Sequence, residues 1–253
     1  MCYSGSYMDT TKTNNEPETE IDPRLQLKAV QALIKHQTTE RLSRIDREFA
    51  DGFEIINRYT DTVCVFGSAR FTEDHPYYQQ ARNVSAAISK EGYTIVTGGG
   101  GGIMEAGNRG AFESGGKSLG FNIKLPHEQV LNPYTTESMP FNYFFARKVI
   151  LAYGAGAYLF FPGGFGTLDE LFEVLTLIQT GKMPKAPVVL VGVDFWTDLD
   201  EFIKKHMVDH AKTITPGDEQ LYTVTDDVAE IISRINTYNQ PVQELTRDTL
   251  ANV

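Results

Sequence analysis

Residues 93–107 read YTIVTGGGGGIMEAG, and the fold is decided here. Tyr93 to Val96 form a short apolar run that ends in the glycines Gly98 to Gly102, after which Ile103 and Met104 begin a helical stretch. A continuous apolar run differs from an alternating one. Alternation marks a strand with one wet face, whereas continuity marks a strand covered on both faces, as in a parallel sheet flanked by helices.

The same punctuation recurs along the chain. TVCVF (62–66) runs into Gly67, residues 118–123 into Leu125 and Pro126, and AYLFF (157–161) into Pro162, Gly163 and Gly164. VVLVGV (188–193) and a weaker run at 221–224 follow. Strands alternating with helical stretches predict an α/β fold with a doubly wound, mostly parallel sheet. Ahead of it, Leu27, Val30, Leu33, Ile34, Leu42, Ile45, Phe49 and Phe53 recur at helical steps, with a register break around His36 to Thr39. This predicts an N-terminal helical extension of two helices over 23–59, too short and broken for a coiled coil. Residues 1–22 are polar and are expected to form a disordered tail, with the sheet domain over 60–240 and a C-terminal tail over 241–253.

The chain has 253 residues, 41% hydrophobic and 22% charged, which is an ordinary globular composition. Its 23 basic and 33 acidic residues leave a formal charge of −10, which argues against a nucleic-acid or membrane-surface partner. Cys2 and Cys64 are too few for a disulfide framework or a zinc site. No run is long enough to span a membrane and no secretory layout is present, so the expectation is a cytoplasmic protein that binds small molecules.

In a doubly wound sheet, ligands bind outside the carboxyl ends of the strands. The unusual residues fall there: Gly67-Ser68-Ala69-Arg70, then Gly98 to Gly102, then Pro126-His127-Glu128, then Pro162 to Thr167. A glycine-rich loop that opens a helix leaves backbone N–H groups free to meet an anion. Glycine also permits tight turns, but two such loops on one edge favour a phosphate site. No window fits the dinucleotide fingerprint G-x-G-x-x-G, and Gly115-Gly116-Lys117-Ser118 fails as a phosphate-binding loop because it precedes a strand. Thr167 to Glu170 has the form of a capping box, with Thr167 as the N-cap. That reading accounts for Glu170 by itself. From spacing alone the cap is the preferred reading, though a carboxylate in the first turn after a phosphate loop is also well placed beside a bound sugar phosphate. Phe141, Phe144 and Phe145, ahead of Arg147 and Lys148, are expected in the core, as is Cys64. His206 and His210 are expected on a helix surface, and no metal site is predicted.

These motifs resemble one family. GGGGGIM (98–104) is similar to the first glycine motif of the Lonely Guy (LOG) family, and PGGFGTLDE (162–170) matches its P-G-G-x-G-T-x-x-E signature in full. Arg147-Lys148 stands where the family carries its R-K pair. The N-terminal extension resembles that of the longer, second type of LOG protein. The resemblance implies a Rossmann-like sheet and hydrolysis of the N-glycosidic bond of cytokinin riboside 5′-monophosphates, giving free base and ribose 5-phosphate without a cofactor. It implies Arg147 and Glu170 as catalytic residues. As substrate- and phosphate-binding residues it implies Gly67, Ser68, Gly99, Gly100, Gly101, Gly102, Met104, Glu128, Lys148, Gly163, Gly164, Gly166, Thr167 and Thr176. It also implies a homo-oligomer, to which the segment Phe141 to Phe145 is expected to contribute. A nucleosidase acting on adenosine monophosphate and a non-catalytic nucleotide or cofactor carrier are the alternatives. Members often carry the label lysine decarboxylase, but no lysine in a pyridoxal-phosphate context is identified.

Overall fold

The computed structural model describes residues 23–124 and 131–251. Glu128 and the expected tail over 1–22 lie outside the described residues. Helix α1 (Pro23–Ile56) opens the chain. Then follow β1 (Thr62–Phe66), α2 (Pro76–Lys90), β2 (Thr94–Thr97), α3 (Ile103–Glu113), β3 (Ser118–Ile123) and β4 (Glu137–Phe141). The second half adds α4 (Phe144–Tyr153), β5 (Ala157–Phe160), α5 (Phe165–Gln179), β6 (Val188–Leu190), α6 (Val193–Phe202), β7 (Thr223–Val224) and α7 (Val228–Ala251). The chain divides into two units, Met1–Arg44 and Ile45–Val253, and the sheet lies wholly in the second.

The seven strands run in the order β4-β3-β2-β1-β5-β6-β7, and every pairing is parallel. The order reverses direction between β1 and β5. That is the topological switch point, where the loops leaving two neighbouring strands part to opposite faces and open a crevice. The runs covered on both faces are explained by two cores. Val63 and Val65 of β1, with Ile95, Leu159 and Val189, pack under α2, α3 and α7 through Tyr78, Val84, Ile103, Ala106 and Ile231. Cys64 and Phe66, with Phe121, Tyr158, Phe160 and Leu190, pack against Ile150 of α4, Leu171 and Val174 of α5, and Trp196 of α6. Alternate residues of one strand serve opposite cores, so neither face of it is left to solvent.

Two expectations are corrected. The preamble is one helix, not two, because nothing between Pro23 and Gly52 breaks it. His36 to Thr39 is a polar turn within it, where Thr39 donates to the Lys35 carbonyl at 3.0 Å. Strand β4 was not expected, since ESMPF has no continuous apolar run. It is an edge strand that buries Met139 and Phe141 and tolerates Pro140. Helix α7, Val228–Ala251, spans the expected boundary between the sheet domain ending at 240 and the tail from 241.

Candidate active site

The loops after β1 and β5 and the N-terminus of α3 are stitched together by backbone. Ser68 N–H donates to the Pro162 carbonyl at 3.0 Å, and Ile103 N–H donates to the Ser68 carbonyl at 2.9 Å. The approach requires glycine. A Cβ on Gly102, whose φ is 65°, would stand 2.3 Å from the Ser68 oxygen. A Cβ on Gly67 would stand 2.7 Å from the Ile103 side chain.

The two glycine-rich loops therefore do different work. In the first, Gly99 N–H donates to Thr97 Oγ1 at 2.9 Å. The carbonyls of Gly99 and Gly100 accept from Asn132 N–H at 3.0 Å and Asn132 Nδ2 at 3.1 Å. Asn132 in turn reaches the buried Asn108, which also bonds Thr97 and Ser118. This loop is braced, and Gly98 and Met104 are its contributions to the cleft wall.

The second loop is open. Helix α5 begins at Phe165 with Gly164 as its N-cap, and no side chain caps it. Among the described residues, the N–H groups of Phe165, Gly166 and Thr167 find no acceptor, as expected for the first turn of an uncapped helix. A Cβ on Gly164 or Gly166 would meet nothing within 4 Å, whereas one on Gly163 would stand 2.1 Å from Thr167 Oγ1. The expected capping box is thus absent. Thr167 sits inside the helix and folds back over Gly163, and Glu170 lies a turn beyond the N-terminus.

Glu170 is 7% exposed at the floor of a cleft of about 980 Å³. Burial pushes its carboxyl up to about 7, against the opposing pull of Lys148 and Arg147. Arg147, from α4, is also largely enclosed. Burial lowers its guanidinium pKa while Glu170 opposes the shift. No ion pair joins the two among the described residues, and the buried Arg147 Nε has no hydrogen-bond partner. The guanidinium carbon stacks 5.3 Å from the Phe144 ring centre. Beneath the pair lies Cys64, fully buried, its thiol pushed well up by burial and by Glu170.

The cleft gathers Gly67, Ser68, Met104, Arg147, Lys148, Gly163, Gly164, Gly166, Thr167 and Glu170 of the expected residues. Lys148 reaches it with an ammonium already engaged, to Asp169 at 2.7 Å and Glu173 at 3.0 Å. Gly99 to Gly102 stand behind the wall. Thr176 is not brought in: six residues past Glu170, it lies about 240° round the helix, beside Phe165 and Phe172 on the outer side of α5. Ile123 and Leu151, which no sequence motif marked, also line the cleft, as does Phe144, which was expected in the core. Of the aromatics expected in the core, Phe141 is buried, but Phe144 and Phe145 are 54% and 46% exposed, because they occupy the first turn of α4.

The family model described as "Possible lysine decarboxylase" matches residues 104–235. The chain belongs to this family, the LOG family. A cytokinin riboside 5′-monophosphate phosphoribohydrolase of Mycobacterium marinum is 36% identical over 142 residues, which is 55% of this chain and 73% of that protein. One from Arabidopsis thaliana is 27% identical over 194 residues, 76% of this chain and 83% of that protein. Among solved structures, a molybdenum cofactor binding protein of Rippkaea orientalis superposes with a TM-score of 0.55 at 19% identity, covering 70% of this chain and 96% of that one. The molybdenum cofactor carrier protein of Chlamydomonas reinhardtii gives 0.52 at 23%, covering 71% and 98%. The two solved structures share the fold. Among the described residues of this LOG-family chain, no helix is long and apolar enough to cross a membrane.

Proposed function

We propose that this LOG-family chain hydrolyses the N-glycosidic bond of purine-type nucleoside 5′-monophosphates, releasing base and ribose 5-phosphate. The observation that carries the reading is Glu170: a buried carboxylate facing an arginine without pairing to it, next to the open N-terminus of α5. Cleaving a ribosyl–base bond builds positive charge on the sugar, as in glycoside hydrolysis. The ionised Glu170 stabilises that charge at C1′ and takes a proton from the attacking water. Arg147 stays protonated and serves as a fixed cation, holding the sugar phosphate or orienting the carboxylate. The free amides of Phe165, Gly166 and Thr167 supply an anion site on a helix N-terminus. Binding the non-reacting phosphate there holds the sugar over Glu170.

A decarboxylase built on a lysine imine fits these residues poorly. The lysine that lines the cleft is Lys148. Burial works against its charge, but hydrogen bonds to Asp169 and Glu173 outweigh it and hold the ammonium above its usual range.

The test is incubation of the protein with cytokinin riboside monophosphates, adenosine monophosphate and the matching nucleosides, with chromatography of free base. Release from monophosphates alone supports the reading. Tight binding without release points to a carrier, and equal turnover of nucleoside and monophosphate refutes the phosphate site.

A further inference from the structure

We infer that Glu48, on the N-terminal helix, is a positioning residue for Arg147, acting through the first turn of α4; this rests on the function proposed above. Glu48 is 7% exposed, yet no basic side chain pairs with it among the described residues. Its carboxylate instead accepts three N–H donors from the chain entering α4. Oε1 takes Asn142 N–H at 2.9 Å and Asn142 Nδ2 at 2.6 Å, and Oε2 takes Tyr143 N–H at 3.2 Å.

Tyr143 is the N-cap of α4, and its side chain makes no capping bond. Its carbonyl accepts the backbone N–H of Arg147 at 3.2 Å. One residue, Tyr143, therefore links the Glu48 carboxylate through its N–H to the backbone of Arg147 through its carbonyl. The first turn of α4 has no acidic residue of its own, so Glu48 also supplies the negative charge that a helix N-terminus favours. The surrounding contacts keep the two helices in register. A Cβ on Gly52 would stand 2.7 Å from Ile150 of α4, and the Phe49 and Phe145 rings lie 6.3 Å apart. The part of α1 from Ile45 onward is thereby a brace for the helix that carries the cleft cation.

The brace is read through Glu170. The charged and titratable groups facing that carboxyl are Arg147 and Lys148 from α4, Asp169 and Glu173 from its own helix, and Cys64 from β1. In Glu48→Gln the amide nitrogen meets the Tyr143 N–H, the α4 entry loosens, and Arg147 recedes. A retreat of about 1 Å raises the Glu170 midpoint by about half a pH unit. Removing a distant negative charge would by itself lower the midpoint, so the direction of the shift separates the two effects.

The experiment is a carbon-13 titration of the glutamate carboxyls, with the Glu170 signal assigned by its loss in Glu170→Gln. It is run on the full chain, on Glu48→Gln, and on Val84→Ala as a control destabilised on the far face of the sheet. Base release is measured in parallel. The expected result is an upward shift in Glu48→Gln alone, with kcat reduced about 10- to 100-fold and KM changed less. An unmoved or lowered midpoint overturns the inference, as does an equal shift in Val84→Ala. If Glu48→Gln fails to fold, Glu48→Asp, which withdraws the oxygens by one methylene, is judged by the same criteria. If the wild-type protein releases no base, the proposed function fails, while the titration still decides the role of Glu48.

Discussion

Replacing Glu170 by Gln should make the protein more stable at pH 8 while removing its activity. The carboxyl titrates near 7 in the fold, against an ordinary 4.5. Between those values the folded chain holds a proton that the unfolded chain has lost, so stability falls as pH rises through the window. Above pH 7 the full penalty is present, and below about 4.5 it is gone. At about 1.4 kcal/mol per unit, the shift is worth about 3 kcal/mol. Gln keeps the shape and drops the charge, so most of that penalty is relieved at pH 8. For a chain of this size the gain is roughly 6–12 °C in Tm. Thermal melts of both proteins at pH 8 and pH 5 check it, and the gap should shrink markedly at pH 5. Base release should fall by about 10²–10⁴ with loss of the proton acceptor. A variant that melts below wild type at pH 8, or by the same margin at both pH values, refutes the buried-charge argument. Near-normal turnover refutes the mechanism.

Four further outcomes are expected. The kcat/KM profile should rise through a limb near pH 7 as Glu170 ionises, and a flat profile from pH 5 to 8 would count against it as the base. Gly102→Ala should cost about 3 kcal/mol or more in chemical denaturation, since its φ of 65° and the 2.3 Å approach to Ser68 both resist a side chain. Lys148→Met should lower stability by about 1–3 kcal/mol, because the exposed Asp169 contributes little while the ammonium also faces the buried Glu173 Oε2 at 3.0 Å and offsets the charge of Glu170. A KM rise well beyond that scale would mean the ammonium touches substrate. Light scattering should give a mass above the 28.3 kDa of one chain if Phe144 and Phe145, exposed at the start of α4, meet a second copy; a fully active monomer would rule this out.

What could be read from the sequence follows the physics of burial. The predicted bounds of the strands at 62–66 and 118–123 coincide with those observed: TVCVF announces itself as a nearly unbroken apolar run, while SLGFNI shows through Leu119, Phe121 and Ile123 and the punctuation that follows. The edge strand β4 buries alternate residues and contains Pro140, so it left no such trace. The cleft loops were legible through glycine and proline, and Arg147 and Glu170 through the family pattern. Thr167 was misread because a threonine three residues before a glutamate imitates a cap, and only the backbone shows Gly164 starting the helix. Glu48 was out of reach. Its partner Asn142 is 94 residues away in sequence, and no local rule relates a carboxylate on one helix to the first turn of another.

The bare ground at Gly164 and Gly166 has a consequence for anyone who would redesign this protein. Both positions have room for a methyl group, and neither has a positive φ. Gly166 lies inside a helix, where alanine is the better former by about 1 kcal/mol. A library selected for heat resistance alone would therefore drift toward alanine at position 166, crowding the amides proposed here to hold a phosphate. Thermal screens of this fold should be paired with a ligand-binding screen, because in this loop robustness and recognition pull in opposite directions.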